Sequence, residues 1–208
     1  MGEYRTIVAD PPWELPSRKM RPGGRRASAT EVPYSFMSLE EIEALQVAEW
    51  AADNCALFLW STRRNFREGV AAAVARAWGF EPCAEIMWGL RNPGLGTPRA
   101  LAADHEPILV AKRGSPDWRA GEPMGVHFWR QPYYPRGGGK IHSAKPEAFL
   151  DHVEQWSPGP YLELFARRDR LGWDTWGNEC LNTIRTPALA GGASQMTVDD
   201  VLAEMEGT

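Results

Sequence analysis

The fold class that this sequence predicts is α/β with a mainly parallel sheet, and two observations carry it. Short apolar runs of strand length alternate with capped, amphipathic helical segments over most of the 208 residues. One of these runs, Ala56-Leu57-Phe58-Leu59-Trp60, reads as a buried strand.

In chain order, 6–9 is the first strand. Ser38-Leu39-Glu40-Glu41 is a capping box that opens a helix reaching about residue 53, with Ile42, Leu45 and Trp50 near one face. A buried strand follows at 56–60, then an Ala-rich helix at 65–78 stopped by Gly79. Strands at 85–88 and 107–111 come next. Pro146 occupies the first turn of a helix whose Phe149, Val153 and Trp156 share a face, and 161–166 is a further strand. Beyond Cys180 the pattern fades, and Thr197-Val198-Asp199-Asp200 caps only a short helix. The expected organisation is one folded domain over 1–180 and a C-terminal tail over 181–208.

Composition narrows the function. A net charge of −4 argues against a strong nonspecific nucleic-acid binder. Cys55, Cys83 and Cys180 have no paired spacing, and His105, His127, His142 and His152 are dispersed, so neither a disulfide framework nor a metal site is expected. Reduced, buried cysteines are the expectation. No apolar run approaches twenty residues and no leader pattern is present, which points to a cytoplasmic protein without membrane association.

The chemistry concentrates in Asp10-Pro11-Pro12-Trp13, directly after the first strand. Open α/β sheets place ligands at that end of a strand. The exocyclic amine of a nucleobase is a poor nucleophile because its lone pair is delocalised into the ring. A carboxylate at Asp10 and the carbonyl of Pro11 can accept its two hydrogens and favour a pyramidal nitrogen. Proline offers no competing N–H, and Trp13 can stack on the base. Arg18, Lys19, Arg21, Arg25 and Arg26 follow around Gly23-Gly24, and arginine suits bidentate phosphate contacts. That segment is expected to be a substrate-binding lid. Two long loops, 91–104 and 114–140, complete the pattern. In the second, Trp118, Trp129, Tyr133 and Tyr134 interleave with Arg119, Arg130, Arg136 and Lys140. These aromatics either stack on unpaired bases or pack the loop down.

Nine collinear landmarks carry a family resemblance from about Arg5 to Glu179. They are Thr6-Ile7-Val8-Ala9-Asp10-Pro11-Pro12-Trp13, Pro33-Tyr34-Ser35-Phe36-Met37-Ser38, Leu57-Phe58-Leu59-Trp60, Trp78-Gly79-Phe80, His105-Glu106, Lys145-Pro146, Ser157-Pro158-Gly159, Glu163-Leu164-Phe165-Ala166-Arg167 and Gly177-Asn178. With them the chain resembles the DPPW-motif adenine N6-methyltransferases, the family of the catalytic subunit that methylates adenosine in mRNA, as a small bacterial or phage-type member.

The resemblance implies a Rossmann-like class I S-adenosylmethionine-dependent methyltransferase, with helices on both faces of the sheet and the catalytic motif before the cofactor strand. It implies methyl transfer to N6 of adenine in nucleic acid, DNA favoured over RNA, on an unpaired or flipped-out base. Asp10, Pro11, Pro12 and Trp13 become the candidate catalytic residues. Lys145, Phe165, Arg167, Asn178 and Glu179 become the candidate cofactor contacts, Lys145 as a cation for the methionine carboxylate. Tyr34 and Glu106 match positions lining the base pocket, beside Arg18, Lys19, Arg25 and Arg26 as substrate contacts. A homodimer or a partner subunit stays open. Three departures bear on cofactor affinity. Only Met1-Gly2-Glu3-Tyr4 precede the catalytic strand where larger relatives have another strand, Asp169 and Arg170 stand where the family often has His and Asn, and Glu179 replaces a usual Gln. The alternatives are a non-catalytic or partner-dependent nucleic-acid-binding subunit, and an amino methyltransferase for cytosine N4 or a protein glutamine. The leading Asp10 favours adenine, because the motifs of those other amino methyltransferases usually begin with Ser or Asn.

Overall fold

A computed structural model describes residues 2–14, 36–89, 105–119, 145–177, 180, 181, 183 and 184. The elements are β1 (Tyr4–Ala9), α1 (Leu39–Glu43), α2 (Val47–Trp50), β2 (Ala51–Trp60), α3 (Arg63–Arg67), α4 (Val70–Ala77), β3 (Glu81–Gly89), β4 (His105–Arg113), α5 (Glu147–Trp156), β5 (Tyr161–Leu164) and β6 (Trp173–Trp176). They form a six-stranded sheet in the order β3-β4-β2-β1-β5-β6. β1 runs parallel to β2 and β5, and β5 parallel to β6, while β4 is antiparallel to both of its neighbours. The sheet is therefore mixed, with a parallel block around β1.

The alternation of side chains along each strand divides the core in two. Ile7, Ala9, Leu57 and Leu59 pack with Ile42 of α1 and with Ala71, Val74 and Ala75 of α4. Val8, Phe58 and Trp60 pack with Phe149, Leu150, Val153 and Trp156 of α5 on the other face. β1 and β2 are apolar at nearly every position because both of their faces are covered.

Four expectations are corrected. The helix from Ser38 ends at Glu43, α2 is separate, and the chain is already strand at Ala51. The capping box is present, but the Ile42 carbonyl accepts the Trp78 indole N–H (2.8 Å) and the Leu45 N–H, bonds that end the helix. The Ala-rich helix is split by Gly69, whose φ of 78° lies in the left-handed region open to glycine. β6 was not read from the sequence, because four residues carry too little alternation to stand out. Of the three cysteines, Cys55 is buried, its thiol pushed up to about 12 by burial, whereas Cys83 on β3 is exposed and Cys180 is half-buried.

The described part of the expected tail is attached to the fold. Thr183 N–H donates to the Thr175 carbonyl (3.0 Å), and Ile184 packs against the first core. The remainder of the tail, with its capping Thr197, lies outside the described residues.

The ends of β5 and β6 are clamped together by the Ala166 N–H, which donates to the Trp176 carbonyl (2.9 Å). A Cβ at the next residue, Gly177, would fall on the Ala166 backbone. Gly177→Ala is expected to destabilise the protein by about 2 kcal/mol or more, the range for a backbone clash that must shift structure. A chemical denaturation midpoint unchanged from that of the wild type would refute this.

Candidate active site

The chain leaves β1 toward β2 and leaves β5 toward β6, so the connections part over the adjacent carboxyl ends of β1 and β5. In open α/β sheets that divergence opens a ligand crevice. Asp10 stands there, its N–H donating to the Leu164 carbonyl (3.4 Å). The Trp13 N–H then donates to the Pro11 carbonyl (2.8 Å), closing a three-residue turn centred on Pro12. Such a turn needs a central φ near the value that a proline ring imposes, which is the local reason for Pro12. The Pro12 carbonyl accepts the Met37 N–H (3.1 Å), so the backbone after Asp10 is held on two sides.

Trp13 is corrected from its expected role as a stacking platform. Its ring is buried in the core, 7% exposed, and its indole N–H donates to the Trp60 carbonyl (3.0 Å). A ring so enclosed and tied anchors the turn beneath Asp10 rather than offering a face to a base. The Pro11 carbonyl is likewise partly engaged, leaving its second lone pair for another donor.

Lys145, just before α5, meets two carboxylates. Its Nζ lies 3.3 Å from Asp10 Oδ1 and 3.1 Å from Glu106 Oε2, and 4.9 Å from the centroid of the Trp60 ring. Glu106 arrives from the opening turn of β4, paired with Trp88 of β3. Burial pushes the Asp10 carboxyl above its ordinary range; Lys145 opposes this, Glu106 adds to it, and Arg167 opposes it. The charged form of Asp10 is thus sustained chiefly by Lys145.

Phe165 follows β5 with φ 63°, a left-handed conformation that costs a non-glycine residue about 1–3 kcal/mol. It turns the chain at the crevice and sets the ring edge-on to Trp176, centroids 5.2 Å apart. Arg167 acts on Asp10 across the gap. Arg168, which the sequence reading passed over, donates from Nη2 to the Lys145 carbonyl (2.8 Å) and pairs with Glu147 of α5 (3.3 Å). It ties the β5 end to the residue that carries the lysine.

Glu163 was also missed. The Val8–Glu163 register puts it on the α5 face of the sheet, the face toward which Asp10 meets Lys145. Its Oε2 is buried without a hydrogen-bond partner among the described residues. Burial raises its carboxyl to about 7, Arg168 opposing and Asp10 adding to the shift. No spacing rule marks either residue, since both depend on which strands become neighbours.

The structure brings together Asp10, Pro11, Pro12, Trp13, Lys145, Phe165, Arg167 and Glu106. Tyr34, Arg18, Lys19, Arg25, Arg26, Asn178 and Glu179 lie outside the described residues, as do Trp129, Tyr133, Tyr134, Arg130, Arg136 and Lys140. Of the aromatic loop, Trp118 packs edge-on against Phe58 (6.3 Å), and Arg119 donates to the Glu154 and Trp156 carbonyls at the end of α5. Those two residues pack the loop down.

The MT-A70 family model matches residues 4–179. The chain belongs to the MT-A70 family. This MT-A70 chain is 31% identical over 193 residues to the type II methyltransferase M.MunI of Mycoplasma sp, covering 85% of the chain and 78% of that relative. It is 28% identical over 191 residues to the human N(6)-adenine-specific methyltransferase METTL4, covering 86% and 38%. It is 29% identical over 191 residues to the N6-methyladenosine RNA methyltransferase MTA1 of Pyricularia oryzae, covering 86% and 47%. The chain therefore spans most of the first relative and less than half of the other two. The matched span contains the whole described sheet and the crevice.

A pH-dependent stability follows from Glu163. Its folded-state value of about 7 exceeds the ordinary 4.5, so its contribution is fully present below about pH 4.5 and is lost as pH rises through 7. Glu163→Gln should therefore gain stability over the wild type on going from pH 5 to pH 8, by up to about 3 kcal/mol. Thermal melts at the two pH values giving the same difference would contradict the assignment.

Proposed function

We propose that this MT-A70 protein transfers a methyl group from S-adenosylmethionine to the N6 amino group of adenine in nucleic acid, with DNA favoured over RNA. The observation that carries the reading is a half-buried carboxyl, Asp10, ion-paired with Lys145 at the mouth of the β1/β5 crevice and followed by a locked Pro11-Pro12 turn. The named activities of the human and fungal relatives supply the amine acceptor, adenine N6. The preference for DNA rests on the likeness to the type II methyltransferase, 31% identical and matched over 78% of its length.

The donor set suits that cofactor. Carboxylates and basic side chains lie together at the crevice, as a molecule bearing a sulfonium, an ammonium and a carboxylate requires, and Phe165 sets an aromatic ring at the end of β5. Phe165, Arg167 and Lys145 are the described residues that would hold it, Lys145 at its carboxylate by resemblance; Asn178 and Glu179 follow β6 in sequence and are likewise assigned by resemblance. S-adenosylmethionine, when bound, supplies an electrophilic methyl group on sulfur.

The protein's own part is positioning and polarisation. Asp10 Oδ1 faces Lys145, and Oδ2 is assigned to accept one N–H of the amine. The second lone pair of the Pro11 carbonyl accepts the other. Two acceptors localise the nitrogen lone pair and aim it. The aminium formed on transfer sheds a proton, which Asp10 Oδ2 receives before passing it to solvent. Trp13 serves as a positioning residue under the turn, and Glu106 keeps Lys145 from collapsing wholly onto Asp10. A base within a duplex cannot reach a half-buried carboxylate, so the target is unpaired or flipped.

The reading is tested with labelled S-adenosylmethionine and matched adenine-containing single-stranded DNA, duplex DNA and RNA. Label recovered as N6-methyladenine from DNA is expected; transfer to none of the three, with cofactor binding intact by calorimetry, would overturn it. Asp10→Ala should lower transfer by about 10²–10³-fold or more and leave cofactor affinity within a few-fold. Retained turnover would remove Asp10 from its role.

A further inference from the structure

We infer that Trp60 is the positioning residue that holds the Asp10 side and the Lys145 side of the site in register. The inference deepens the methyltransferase reading and rests on it only for its kinetic readout. Trp60 closes β2, one strand away from Asp10, and has two functions in two directions. Its backbone carbonyl accepts the Trp13 indole N–H (3.0 Å), fixing the turn that follows Asp10. Its ring lies under the Lys145 ammonium at 4.9 Å, within cation–π range.

The ring is immobile. It is 1% exposed and is gripped edge-on by Phe149 of α5 (4.9 Å) and Trp88 of β3 (6.0 Å). Lysine, by contrast, has a long, flexible stem that by itself selects no single position. A fixed aromatic face beneath the ammonium confines it to the point from which Asp10 and Glu106 are both within 3.3 Å.

The identity of the ring supports the inference. The Trp60 indole N–H is buried without a hydrogen-bond partner among the described residues, a cost that phenylalanine would not incur. Trp50, Trp176 and Trp88 carry the same cost; the first two pack against one another and Trp88 packs against Trp60, and none of the three is shown beneath an ammonium. At Trp60 the added property is the face most attractive to a cation.

Lys145 meets Asp10 and Glu106, and its carbonyl accepts from Arg168, which pairs with Glu147 of α5. Asp10 is influenced by Lys145, Glu106 and Arg167, and Glu163 of β5 is influenced by Asp10.

Trp60→Phe and Trp60→Leu test the inference by two readouts. The first is independent of the reaction: pulse acylation of amines at several pH values, read by peptide mass spectrometry at Lys145 against exposed Lys112. Lys145 should acylate about 5-fold faster or more in Trp60→Leu, and by an intermediate factor in Trp60→Phe, with Lys112 unchanged. The second is the pH profile of methyl transfer. Its acid limb should move up by about one pH unit in Trp60→Leu, as the counter-ion of Asp10 is less well held. A folded Trp60→Leu with wild-type acylation and an unmoved acid limb overturns the proposal. If that variant does not fold, Trp60→Phe decides by the same comparison. Trp60-dependent protection of Lys145 in a wild-type chain that methylates nothing would uphold the positioning and reject the enzyme.

Discussion

The arrangement depends on one constraint: β1 is paired in parallel on both sides, with β2 and with β5, and covered on both faces. Parallel pairing sends the chain away through a crossover at each strand's end, so nothing can close the carboxyl ends of β1 and β5 with a tight hairpin. The divergence of those connections opens the crevice, and burial on both faces makes the strand rigid enough to place the residue after it. Asp10 owes its position to Ile7, Val8 and Ala9.

Around that point the charges are uneven. Asp10, Glu106 and Glu163 gather at one end of the sheet, where burial raises the carboxyls of Asp10 and Glu163. Lys145 answers two of them, and Arg167 and Arg168 act from the β5 side. Both carboxyls are raised by burial, but Asp10 has a direct cation in Lys145 opposing the shift, whereas Glu163 Oε2 has no hydrogen-bond partner among the described residues. Perturbed carboxyls of this kind cluster at functional sites, and the crevice is where this chain collects them.

Aromatic side chains supply the rigidity. Trp13, Trp60, Trp88 and Phe149 link the turn after Asp10 to α5 and β3 through one indole hydrogen bond and a set of edge contacts. Rings pack with little conformational freedom, so this linkage holds the Trp60 face in a fixed place beneath Lys145. Among the described tryptophans, Trp13, Trp60 and Trp88 are thus packed into the core.

Much of this was legible in the residues. The Ser38 capping box, the strand before Asp10, the α5 face and the chemistry of Asp10-Pro11-Pro12-Trp13 all follow from short-range pattern, because each is decided within a few residues. The helix after Ser38 was overextended, since its end depends on an indole donated from Trp78, thirty-six residues away. Trp13 was read as a stacking ring because a sequence cannot show which side of a turn is core. The sequence by itself determined the acid, the prolines and the strand that presents them, because those are matters of local backbone and side-chain chemistry. Only the tertiary structure decided that Lys145 bridges Asp10 and Glu106, that Glu163 is buried beside them, and that β4 runs reversed, because each follows from strand order and burial that no local window contains.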